Sequence, residues 1–100
     1  MASSEPGGYT PVKDPQSPRM KELAEWAVAE HNKKEGTHLR FISILKCESQ
    51  IVNGVNYRFT LTAKDESDNC LPGNYMAIVY EQLSEHLKEL VFFKQLLLAE

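Results

Sequence analysis

Between residues 55 and 63 the sequence alternates without a break. Val55, Tyr57, Phe59, Leu61 and Ala63 fall on one side of an extended chain, and Asn56, Arg58, Thr60 and Thr62 on the other. A period of two means a strand with one dry face and one wet face. Immediately before it stands Asn53-Gly54, a pair that accepts positive φ at both positions and predicts a two-residue hairpin turn. The preceding stretch, residues 39–48, is rich in β-branched and aromatic side chains and supplies the hairpin's other arm.

A sheet with a dry face needs a second layer, and the sequence offers one. Ser17 can cap a helix and Pro18 suits its first position. Met20, Leu23, Ala24, Ala27, Val28 and His31 then follow in a single helical stripe. Lys33 and Lys34 complement the dipole of the last turn, and Gly36 supplies the stop. Beyond a loop at 65–73, residues 75–80 read as a third strand. The last segment fits a helix through Leu87, Leu90, Phe93 and Leu97, or a final strand; the strand is preferred because it widens the surface the helix must cover. The expected fold is therefore α+β, one α-helix packed across a four- to five-stranded antiparallel sheet. Residues 17–100 form the domain and residues 1–16 a flexible N-terminal trunk. Pro6, Gly7-Gly8, Pro11 and Pro15 punctuate that trunk, and only Tyr9 and Val12 give it something to bury.

The composition narrows the function classes. With 42% hydrophobic and 25% charged residues and a net charge of -3, the chain has no basic field for nucleic acid or anionic lipid. No apolar run approaches the roughly 20 residues of a membrane span. The N-terminus has neither the basic nor the apolar region of a signal peptide, which points to a cytoplasmic protein, or to a secreted or vacuolar one if the sequence is a mature form. Cys47 and Cys70 are expected as free thiols. Cys47 lies opposite residues near Tyr57 or Arg58, and Cys70 several residues farther along at about 3.3 Å each, beyond the roughly 7 Å reach of a disulfide. His31, His38 and His86 lack metal-ligand spacing, and no cofactor or metal is implied. Pairing Cys47 with a histidine as a catalytic dyad is a poor fit, so no enzyme is expected. His31 reads as an interfacial histidine and Trp26 as a structural residue packed on the sheet.

Three motifs in order carry a resemblance. The helix contains Leu23-Ala24-Glu25-Trp26-Ala27-Val28-Ala29-Glu30-His31-Asn32; Gly7-Gly8-Tyr9-Thr10-Pro11-Val12 precedes it; Gln50-Ile51-Val52-Asn53-Gly54 follows it. Together they resemble the plant cystatins: a helix block ending in Asn, a glycine-pair trunk with a later Pro-Val step, and a Gln-X-Val-X-Gly hairpin loop. Trp26 stands where that family usually has Phe or Tyr. A further departure lies in the second hairpin loop, where Leu83-Ser84 occupy the place of the family's Pro-Trp pair.

The resemblance implies a reversible, competitive, non-covalent inhibitor of papain-like cysteine proteases, with a role in plant defence. Gly7, Gly8, Gln50, Ile51, Val52, Asn53, Gly54, Leu83 and Ser84 would meet the enzyme. Ile51 and Val52 bring apolar contact, Gln50 orients the loop, and Gly54 makes the bend. Loss of the second-loop tryptophan implies weaker binding than usual for the family. The alternative is a cystatin-fold interaction or assembly module that inhibits weakly or not at all. The resemblance further implies a monomer when active. Its inactive counterpart would be a domain-swapped dimer in which the 50–54 loop straightens as the hinge.

Overall fold

The computed structural model describes residues 8–67 and 71–96. Its elements are β1 (Thr10–Pro11), α1 (Pro18–Glu35), β2 (Leu39–Val52), β3 (Gly54–Asp65), β4 (Gly73–Gln82) and β5 (Leu87–Gln95), with a short 3-10 turn at Leu83–Glu85. The strands form one antiparallel sheet in the order β1-β2-β3-β4-β5. The segment that fitted either a helix or a strand is the strand β5. The sheet begins inside the stretch read as trunk, because Thr10 and Pro11 pair with Ser49 and Glu48, and Val12 packs on the core. Gly7 and Cys70 lie outside the described residues.

One layer of buried side chains joins helix and sheet. Met20, Leu23, Ala24, Ala27 and Val28 face Ile44, Cys47, Phe59, Leu61, Ala63, Ala77 and Val79. Strand β3 obeys its alternation where the helix covers it: Phe59, Leu61 and Ala63 are fully buried. Val55 and Tyr57, on the same face, are only half-buried. The hairpin thus runs on past the helix, and its tip overhangs the core.

Strand β2 departs from a period of two for a definite reason. Phe41, Ile44 and Cys47 lie opposite Ala63, Leu61 and Phe59, so inward residues are three apart on β2 and two apart on β3. Ile42 and Leu45 are the extra residues, two β-bulges that stand exposed and add twist to the strand. The same device operates in β5, where Leu90 and Phe93 oppose Val79 and Ala77 and Val91 is the extra residue.

The helix ends follow their sequence signals. Ser17 accepts a hydrogen bond from the Met20 amide at its start, and Gly36 closes it in the left-handed region at φ 70°. Asn32 fixes the exit to β2. Its Oδ1 accepts from the Leu39 amide at 2.9 Å and from Thr37 Oγ1 at 2.8 Å, while its Nδ2 donates to the Leu39 carbonyl at 2.9 Å. His31 stacks on Phe93 with ring centroids 4.0 Å apart, and Lys88 lies over Trp26 at 4.8 Å, so both rings serve the helix–sheet contact.

Candidate functional site

The β2–β3 hairpin is tighter than its sequence suggests. Val52 pairs with Gly54 across a single intervening residue, Asn53. Gly54 alone takes positive φ, at 121°; Asn53 does not, in contrast to the two-residue turn the dipeptide predicts. The tip is then braced from β4. The Tyr80 hydroxyl donates to the Asn53 carbonyl, and Gln82 Nε2 approaches Asn53 Oδ1 at 3.5 Å. A β-carbon on Gly54 would sit 2.7 Å from the Tyr80 hydroxyl and 2.8 Å from the Glu81 carbonyl. Glycine is thus required by the backbone angle and again by the close approach of β4.

Below the tip, Gln50 Oε1 accepts from Asn56 Nδ2 at 2.7 Å, its directly opposite partner. Polar groups near the turn are engaged, while the apolar ones are left outside. Ile51 is 76% exposed and Val52 45%.

The second hairpin ends at the same end of the sheet. Val55 opposes Glu81, and Gln82 opposes Leu87, so the turn at Leu83–Glu85 stands beside the Asn53 tip. Leu83 is 70% exposed and Ser84 is exposed. The turn closes at His86, which takes the left-handed conformation at φ 52°. Beneath it an ion pair joins Arg19, on the first turn of α1, to Glu81, whose side chain is only 10% exposed. That hydrogen bond is the main cause of a raised Arg19 pKa.

The trunk approaches the same end. As β1 is followed backward, its partners advance along β2 toward the tip, and Tyr9 and Gly8 continue that course. Gly8, residues 50–54 and residues 83–84 therefore gather at one end, and Gly7 lies outside the described residues. Tyr9 is half-buried, with the Arg58 guanidinium 3.9 Å from its ring centroid. Arg58 in turn donates to Glu48 Oε1 at 2.9 Å, and this hydrogen bond holds the Glu48 carboxyl below its ordinary range. Sequence reasoning singled out neither Tyr80 nor Arg58. Both lie in alternating strands, and only the register across the sheet shows what they reach.

The Cys47 thiol is buried against Met20, and burial pushes its pKa up to about 12. It is a core side chain, not a nucleophile. Among the described residues no group of three or more His, Cys, Asp or Glu is placed to hold a metal ion. Nor, among the described residues, is any helix long and apolar enough to cross a membrane.

A family model described as SQAPI, aspartic acid proteinase inhibitor, matches residues 12–96. The chain is 34% identical over 89 residues to Cysteine proteinase inhibitor 1 of Actinidia chinensis var. chinensis, covering 89% of this chain and 74% of that one. It is 36% identical over 88 residues to Cysteine proteinase inhibitor 8 of Oryza sativa subsp. japonica, covering 88% and 70% respectively. The fold is similar to that of a salivary cystatin from the soft tick Ornithodoros moubata, with a TM-score of 0.76 at 21% identity, over 90% of this chain and 97% of the other.

Proposed function

Since the chain belongs to the plant cystatin family of proteinase inhibitors, we propose that it inhibits papain-like cysteine proteases reversibly and competitively, as a wedge rather than as a substrate. The names of its plant relatives support the protease class. The wedge itself rests on one observation: Ile51 stands 76% exposed at the tip of a turn that Tyr80 holds in place. Leaving an isoleucine in water forgoes about 1.5–3 kcal/mol of burial, which a protein recovers when that side chain enters a partner's cleft. A braced tip loses little conformational entropy on entering.

Gly8 and the 50–54 loop carry most of the contact. Leu83 contributes a smaller apolar surface than an aromatic wedge would, so affinity is modest for the family. The inhibitor needs no shifted pKa and no nucleophile, because occupying the cleft without offering a cleavable bond is sufficient.

A second reading is inhibition of an aspartic proteinase. One observation favours it: the description of the matching family model. One experiment separates the readings. Papain and pepsin activities are titrated with the protein and with Val52→Asp, which puts a charge on the exposed tip. The first reading expects papain inhibition that Val52→Asp weakens at least tenfold, with pepsin unaffected. Pepsin inhibition alone transfers the protein to the second reading. No effect on either enzyme at micromolar concentration leaves a cystatin-fold interaction module.

A further inference from the structure

The trunk has very little backbone to hold it. Strand β1 contains two residues, one of them proline, which has no amide hydrogen to donate. Beyond them, Val12 N donates to the Cys47 carbonyl at 2.9 Å. On the protease side of this short strand the chain reaches Tyr9 and then Gly8 outside any element. Yet Tyr9 is half-buried, because its ring lies against the Arg58 guanidinium, 3.9 Å from centroid to Cζ.

Arg58 is well prepared for that contact. It lies directly opposite Glu48 in the β2–β3 register, so both side chains rise from the same face of the sheet. Its Nε donates to Glu48 Oε1 at 2.9 Å, and the two side chains are 30% and 18% exposed. One edge of the guanidinium is thus tied down, leaving its flat face for an aromatic ring. Glu48 is also the cross-strand partner of Pro11. The carboxylate that orients Arg58 therefore sits in the strand position against which the trunk is registered.

We propose that Arg58, oriented by Glu48, is a positioning residue that clasps Tyr9 and fixes the direction in which the trunk leaves the sheet. The proposal rests on the inhibitory reading for its functional consequence and on the sheet geometry for its physical content. The clasp removes conformational freedom from Gly8 before binding, so it acts on affinity without touching the protease. Without it, the two paired residues and the Val12 anchor would set the trunk's course.

The test combines inhibition constants against papain with amide heteronuclear Overhauser effects for Gly8 and Tyr9 in the free protein. Arg58→Leu is expected to weaken inhibition about five- to tenfold and to bring the Gly8 and Tyr9 amides to the values of a mobile tail. Tyr9→Ala is expected to do the same, and the double variant no more than either alone. Tyr9→Phe keeps the ring face and should retain the wild-type behaviour. Arg58→Lys keeps the charge but loses the planar, tethered group and should fall between. Additive losses in the double variant, or unchanged amide order in Arg58→Leu, would overturn the clasp. If the wild type fails to inhibit papain, the functional reading fails, and the amide measurements still judge the clasp.

Discussion

At the hairpin tip, Asn53 is exposed and holds two contacts to β4, from Tyr80 and Gln82. Tyr80→Phe removes the hydroxyl and keeps the ring. A single hydrogen bond of this kind contributes about 0.5–1.5 kcal/mol, which corresponds to roughly two- to tenfold in an inhibition constant if the tip must be in place to bind. The expected outcome is that loss of inhibition with a thermal midpoint close to wild type, since the bond is exposed and far from the core. Equal inhibition by both proteins would mean that the tip holds its shape without the brace. The need for Gly54 was legible in the sequence as a turn requirement, but its second cause was not. Tyr80 stands in a strand beside Met76 and Ile78, and nothing local to it points across the sheet to residue 53. That relation exists only once Val55 is opposite Glu81.

Among the elements, α1 and β3 were the most readable, because their apolar positions keep a regular period and their ends carry strong cap and turn residues. Strands β2 and β5 were harder, for a common reason. Each bulge inserts one residue between inward side chains, which changes a spacing of two into three: Phe41, Ile44 and Cys47 in β2, Leu90 and Phe93 in β5. A spacing of three is also that of a helix, hence the two readings of the last segment. The join between α1 and β2 rests on Asn32 alone for three hydrogen bonds. Asn32→Ala leaves the Leu39 amide and carbonyl without those partners and is expected to cost about 2 kcal/mol. Urea unfolding followed by circular dichroism measures this. A loss below about 0.5 kcal/mol would show that the β2 pairing alone holds the connection.

For the molecule as a whole, three groups make stability fall in acid. Burial against Phe93 lowers the His31 pKa from 6.5, with Glu35 opposing in second place. The Arg58 hydrogen bond lowers Glu48 from 4.5, and Ser67 lowers the exposed Asp65 from 3.8. In each case the folded pKa lies below the unfolded one, so the unfolded chain takes up its proton first as pH falls. Each group's contribution is complete above its unfolded pKa and is lost as pH falls through its folded pKa. The thermal midpoint should therefore be level near neutrality, decline first below about 6.5 and again below about 4.5. His31→Phe, which keeps a ring against Phe93, should flatten the first step. Glu48→Gln should lower the midpoint at pH 7, and its gap to wild type should narrow as the pH is taken down through the folded Glu48 pKa, because protonation removes the same charge. A midpoint that rises on acidification would contradict these directions. The consequence reaches the choice between proteases. Papain is assayed where all three groups contribute, whereas pepsin is assayed in acid, toward which their contributions fall away. A weak result with pepsin counts against the second reading only if circular dichroism at the same pH shows the sheet intact.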